Sequence, residues 1–126
     1  MFDRKILIID DEADIREVAA MSLETMCGWS VLQANSGAEG LRVARQQRPD
    51  AILLDVMMPD MDGPKTLKAI RADNTLAKIP VIFLTAKVQN SDRQRFTEMG
   101  VTTVLAKPFD PLQLGQQIAH ALGWQL

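Results

Sequence analysis

Three short segments of the chain are continuously apolar: Ile6-Leu7-Ile8-Ile9, Ala51-Ile52-Leu53-Leu54 and Val81-Ile82-Phe83-Leu84. Each is bounded by polar residues or proline, the pattern expected of central parallel strands buried on both faces. Two less apolar runs, Ser30-Val31-Leu32-Gln33-Ala34 and Thr102-Thr103-Val104-Leu105-Ala106, are short and rich in β-branched residues. They are predicted to be the edge strands.

Helical periodicity fills the intervals. Ile15, Ala19, Leu23 and Met26 share one face after Asp14, and Gly28 is placed to end that helix. Ser36 with Glu39 reads as a capping box for a second helix presenting Ala38, Leu41 and Ala44. Pro64 suits the first turn of a third, with Leu67 and Ile70 inward, and Asp110-Pro111 opens a fifth carrying Leu114, Ile118 and Leu122. The fourth, over about 91–99, has only Phe96 and Met99 as strong apolar anchors, so it is the helix expected to shift most readily. Five alternations of strand and helix with short connections predict an α/β fold, a parallel five-stranded sheet with helices on both faces.

Size and charge narrow the picture. A chain of 126 residues, 47% hydrophobic, buries one core without disulfides, so a single domain over 1–126 with no output domain is expected. Fourteen basic and sixteen acidic residues leave a net charge of −2 with no basic block, which argues against direct nucleic-acid binding. The apolar stretches are too short for a signal peptide or membrane insertion. Cys27 and His120 are single, which removes a disulfide framework, a thiolate zinc site and a histidine triad, and fits a reducing cytoplasm.

The candidate chemistry lies at the carboxyl ends of the strands, where α/β sheets bind ligands. Asp10 and Asp11 follow the first strand, Asp55 the third, Thr85 the fourth and Lys107 the fifth. Singly, each has a plainer role as a cap, turn, strand or solvated loop residue. Together they bring three carboxylates to one crevice, and a hard divalent cation with oxygen ligands, magnesium foremost with manganese as a substitute, relieves their repulsion. Lys107 can neutralise a phosphoryl oxygen, Thr85 can donate a hydrogen bond to another, and a carboxylate nucleophile can form an acyl phosphate.

Ile8-Ile9-Asp10-Asp11-Glu12, Leu54-Asp55-Val56-Met57-Met58-Pro59-Asp60-Met61-Asp62-Gly63, Leu84-Thr85-Ala86 and Ala106-Lys107-Pro108-Phe109 resemble the signature segments of response-regulator receiver domains, over nearly the whole chain. The resemblance implies a doubly wound (βα)5 flavodoxin-like fold with strand order 2-1-3-4-5, for which CheY, a member of that family, is a standard example. It implies Asp55 as the phosphoacceptor in two-component signalling. Asp11, Asp55 and the backbone carbonyl of Met57 would ligate magnesium, with Asp10 acting through a water. Thr85, with Ala86 beside it, and Lys107 would bind the phosphoryl oxygens, and the Lys107-Pro108 bond would be cis.

The sequence departs from the family at the switch position. Many receivers carry an aromatic residue three positions before the last lysine, where Val104 stands here. A valine cannot make a large ring reorientation, so the signal would pass through other parts, such as the loop at Lys87 and the fourth helix. Met57 and Lys87 occupy positions expected to tune phosphoryl lifetime, Met57 by shielding and Lys87 by screening. Trp29 and Trp124 are expected to pack at element ends, Cys27 at the base of the first helix, and His120 on the exposed face of the last.

The expected partners are a sensor histidine kinase or histidine phosphotransfer protein, docking near the first helix, and a downstream protein target. Being consumed rather than turned over, the chain is not expected to act as an enzyme. A haloacid-dehalogenase-type phosphatase would need an aspartate where Met57 stands, and a flavodoxin would need a phosphate-binding loop where Asp10-Asp11-Glu12 stands. A stand-alone receiver is the leading expectation. A domain excised from a larger regulator or hybrid kinase, or a phosphorylation-independent scaffold, is the alternative, and the sequence leaves monomer and phosphorylation-dependent dimer open.

Overall fold

The computed structural model describes residues 4–86 and 89–126. Five strands, β1 (Lys5–Ile9), β2 (Ser30–Ala34), β3 (Ala51–Asp55), β4 (Val81–Thr85) and β5 (Thr103–Ala106), alternate with five helices. These are α1 (Ala13–Cys27), α2 (Gly37–Gln47), α3 (Gly63–Ala72), α4 (Asn90–Glu98) and α5 (Leu114–Leu122). All strand pairings are parallel in the order β2-β1-β3-β4-β5, so the two less apolar strands form the edges. Among the described residues, no helix is long and apolar enough to cross a membrane.

Strand alternation divides the core into two layers. Leu7, Ile9, Ile52, Leu54, Val81, Phe83 and Val104 face the side covered by Leu41 and Ala44 of α2, Leu67 and Ile70 of α3, and Phe96 of α4. Ile6, Ile8, Ala51, Leu53, Ile82 and Leu84 face α1 through Ala19, Ala20 and Leu23, and α5 through Leu114, Ile118 and Ala119. The central strands are buried on both faces, which is why their sequence runs are continuously rather than alternately apolar.

Helix ends follow their local chemistry. Ser36 Oγ accepts from Glu39 N–H at 3.1 Å, but Glu39 Oε1 reaches Asn35 N–H at 2.7 Å, one residue before its reciprocal capping-box partner. Asp62 caps α3 by accepting from Lys65 N–H at 2.9 Å, with Pro64 in the first turn. Gly28 ends α1 with φ of 71°, a conformation that glycine adopts without steric cost.

Three expectations about helix faces and one about a helix start are corrected. Met26 is 54% exposed, because α1 presents Ala19, Ala20 and Leu23 to the sheet and turns Met26 outward. Ala38 is exposed, and Gly37 and Gly40 are the residues of that turn that face inward. A Cβ at Gly40 would sit 2.3 Å from Ile9 Cδ1, so a larger residue there would have to displace the buried Ile9 side chain. Met99 follows the end of α4 and is 38% exposed, which leaves Phe96 as the one buried residue of that helix. Asp110 opens a turn rather than α5 itself, since its carboxylate accepts from Leu112 N–H and the helix begins at Leu114. Leu122 is half-buried at its end.

Trp29 and Trp124 meet edge to face at 5.2 Å beneath the sheet, and the Arg4 guanidinium lies 4.6 Å from the Trp124 ring. Cys27 is half-buried against Gly115 of α5, and His120 is exposed.

Candidate functional site

Parallel register carries four polar residues to one edge of the sheet. Asp10 N–H donates to Ala34 O at 3.1 Å, extending the β1–β2 ladder by one residue. Asp55 ends β3 beside Leu84, Thr85 ends β4 beside Ala106, and Lys107 N–H donates to Thr85 O at 2.9 Å. Asp10, Asp55 and Thr85 are 0%, 2% and 1% exposed, whereas Asp11 lies at the surface of the same crevice.

The Lys107 ammonium is the centre of the charge arrangement. Its Nζ lies 2.8 Å from Glu12 Oε1, 3.0 Å from Asp10 Oδ2 and 3.3 Å from Asp55 Oδ1. Burial works against its charge, but the hydrogen bond to Glu12 and the close carboxylates of Asp10 and Asp55 outweigh that and raise its pKa. Asp10 is held by its own loop, with Oδ1 accepting from Glu12 N–H at 2.9 Å and its carbonyl accepting from Arg16 Nη1 at 2.8 Å.

One ammonium does not satisfy the carboxylates around it. Oxygen atoms of Asp10, Asp11 and Asp55 lie within 4.8 Å of one another. Asp10 Oδ2 approaches Lys107 without hydrogen-bonding geometry, and neither it nor Asp55 Oδ2 has a hydrogen-bond donor although both are buried. Buried carboxylate oxygens without donors carry a cost of a few kcal/mol, roughly 1–3 each or more. Burial and the adjacent Asp10 charge push the Asp55 carboxyl up to about 7, against the opposing pull of Lys107 and a hydrogen bond from Met57 N–H. Hard anionic oxygens with unused lone pairs form a donor set that fits a divalent oxygen-seeking cation.

The loop after β3 is held close to the site. Gly63 N–H donates to Val56 O at 2.9 Å, and a Cβ on Gly63 would lie 2.8 Å from Val56 Cα and 2.9 Å from Asp55 O. Only glycine fits that approach, which fixes the start of α3 against the backbone of Asp55. Asp60 takes φ of 64° at the turn, a conformation aspartate tolerates better than most residues. Met57 projects outward at 63% exposure.

Asp10, Asp11, Asp55, Thr85 and Lys107 therefore converge as the strand pattern predicts. Ala86 follows Thr85 at the exposed rim, and Lys87 lies outside the described residues. The Lys107-Pro108 peptide is cis. Val104 is 3% exposed and packs in the same apolar layer as Phe83 and Phe96, with its carbonyl accepting from Arg93 Nη1 at 3.1 Å. Sequence reasoning missed Glu12 as a Lys107 partner and Arg16 as the clamp on the Asp10 carbonyl. Their spacing held a clue: Glu12 and Arg16 are four apart at the start of a helix, so both stand on the one face of that turn that meets the crevice.

The family model for the response regulator receiver domain matches residues 6–119. A probable transcriptional regulator, ycf27, of Guillardia theta is 39% identical over 118 residues, covering 94% of this chain and 45% of that protein. The phosphate regulon transcriptional regulatory protein PhoB of Pseudomonas aeruginosa is 38% identical over 122 residues, covering 97% of this chain and 53% of that protein. The chain thus spans about half the length of these curated relatives. Among solved structures, the chemotaxis response regulator CheY4 of Vibrio cholerae superposes with a TM-score of 0.88 at 32% identity, covering 95% of this chain and 99% of that one. The signal receiver domain of a histidine kinase from Syntrophus aciditrophicus gives 0.82 at 31% identity, covering 95% and 90% respectively. With the family model, the strand order and the acidic crevice in agreement, the chain belongs to the response-regulator receiver family of two-component signalling systems.

Proposed function

We propose that the chain is a phosphoacceptor whose Asp55 takes a phosphoryl group from the phosphohistidine of a sensor kinase or a histidine phosphotransfer protein. The observation that carries this reading is the clustering of Asp10, Asp11 and Asp55, with Lys107 against Asp10 and Asp55 and two buried carboxylate oxygens left without donors. A Asp55 carboxylate oxygen attacks phosphorus, the phosphorus–nitrogen bond breaks, and the departing imidazole nitrogen keeps the electron pair and takes a proton. The product is an aspartyl phosphate, so the chain is consumed once per transfer and acts as a substrate rather than a turnover enzyme.

Asp11, Asp55 and the Met57 backbone carbonyl would hold magnesium, with Asp10 acting through a water. When bound, the cation supplies positive charge that keeps Asp55 ionised and offsets charge on the transferring group. Lys107 neutralises a phosphoryl oxygen and Thr85 donates to another, Ala86 lying beside them at the rim. Manganese has the same oxygen preference and is expected to substitute.

The donor's approach is supported by an apolar surface beside the crevice. Ile15 and Val18 of α1 with Pro108 and Phe109 line a groove that Lys107 closes, and Met21 and Leu112 extend it at 68% and 69% exposure. A helical donor seated there brings its histidine to the mouth above Asp55.

Phosphorylation is then passed on through altered partner contacts. Val104 offers no aromatic ring to reorient, and α4, whose one buried side chain among the described residues is Phe96, packed against Phe83 at 5.2 Å, is the element suited to respond. The exposed Met57 side chain shields the acyl phosphate from water, and Lys87 screens it. Incubation with acetyl phosphate and magnesium, followed by intact-mass measurement, tests the reading. One phosphoryl adduct on the wild type and none on Asp55→Asn is expected; an unmodified wild type would sink it.

A further inference from the structure

We infer that the outer face of α3 is a docking groove for an acidic amphipathic helix of a partner protein. The groove, about 470 Å³, is lined by Pro64, Lys65, Leu67, Lys68, Arg71 and Met99. Its floor is apolar, from Pro64, Leu67 and Met99, and its rim is cationic, from Lys65, Lys68 and Arg71.

The charge is concentrated beyond what the sequence average would give. The segment 63–72 holds three cations and no acid in a protein of net charge −2. Lys65 and Lys68 are three apart and so stand on one helical face, both exposed. Neither forms an ion pair among the described residues. The acids that flank the helix are engaged elsewhere: Asp62 caps it through Lys65 N–H, and Asp73 pairs with Arg45 at 2.9 Å and binds Thr75.

Arg71 has a different task. Its guanidinium donates to the carbonyls of Ala77 and Ile79 and, across the groove, to Gly100 O. It ties the end of α3 to the loop before β4 and to the turn after α4, so the wall of the groove is built before any partner arrives. Met99 stands on that far wall as an exposed thioether directly after the helix whose Phe96 is buried. Methionine adapts to varied apolar side chains and is favoured on surfaces that receive helices.

These features select the occupant's chemistry. An apolar side chain of the incoming helix fills the space between Leu67 and Met99, and carboxylates one turn to either side meet Lys65 and Lys68. A basic helix would be repelled, and a purely apolar one would leave the two ammoniums without partners. The surface is separate from the α1 face assigned to the phosphodonor, so the inference stands whether or not Asp55 is phosphorylated.

A helix-biased peptide display library, selected on the wild-type protein and counter-selected on Lys65→Glu/Lys68→Glu, provides the test. Both lysines are exposed, so an unchanged thermal melt verifies that the variant is folded. Enriched peptides are expected to place aspartate or glutamate around an apolar stripe, to shift backbone amide resonances at 65–71 and 99–100, and to bind the variant roughly tenfold or more weakly. Enrichment of peptides without acidic flanks, shifts confined to another face, or equal binding to the variant would overturn the inference. Concentration-dependent shifts at the same amides without peptide would also overturn it, by assigning the groove to a second copy of this chain.

Discussion

Replacing Asp55 by asparagine is expected to stabilise the fold in buffer free of divalent cations. Asp55 is buried beside Asp10, and its carboxyl is pushed up to about 7 from 3.8, chiefly by loss of water and then by the Asp10 charge. Between those two values the folded protein holds a proton that the unfolded chain has released, so wild-type stability falls as pH rises through that window. At about 1.36 kcal/mol per unit the loss would reach roughly 4 kcal/mol above pH 7. The crevice stays open to water past Asp11, and solvent screening there brings the expected difference nearer ~2 kcal/mol. Asparagine keeps the volume and removes the titration, so the variant avoids that loss. Urea unfolding of both proteins with EDTA should show little difference at pH 4 and a widening advantage for the variant up to pH 8. Added magnesium should narrow it by stabilising the wild type alone. A variant no more stable than the wild type at pH 8, or a difference that ignores pH, would refute the electrostatic account of the crevice.

Other substitutions probe separate parts of the structure. Gly63→Ala forces a methyl group against Val56 Cα and Asp55 O, and should cost about 1–3 kcal/mol in chemical denaturation, since backbone rather than a flexible side chain must yield. Phe96→Ala removes the one buried side chain of α4; a loss of about 3–5 kcal/mol is expected, with faster hydrogen exchange across 90–98 than elsewhere. Met57→Asn should shorten the lifetime of the phosphorylated protein, followed as loss of the phosphoryl mass with time, whereas an unchanged lifetime would end the shielding proposal. Glu12→Gln takes one of three carboxylates from Lys107 at an exposed position and is expected to speed phosphorylation by acetyl phosphate modestly, with little change in stability.

The strands and the site residues were legible in the sequence because both rest on strong local signals. A run such as Ile6-Leu7-Ile8-Ile9 admits few other fates, and the period of the sheet then delivers Asp10, Asp55, Thr85 and Lys107 to one edge without further information. The helix faces were less legible. Whether Ala38 or Gly40 points inward depends on how closely α2 approaches Ile9, a distance set by the packed sheet and not by the helix's own periodicity. Met26 and Met99 read as core by hydropathy, yet Met26 lies on the outer side of α1 and Met99 just past the end of α4. The contact of Glu12 with Lys107 spans 95 residues of sequence and follows from tertiary placement of the last strand.

The most direct test of the central claim locates the acyl phosphate chemically. After phosphorylation with acetyl phosphate and magnesium, borohydride reduction converts a phosphorylated aspartate to homoserine, which peptide sequencing by mass spectrometry can place. The account predicts homoserine at position 55, with Asp10 and Asp11 unmodified. Homoserine at position 10 or 11, or none at position 55, would contradict it.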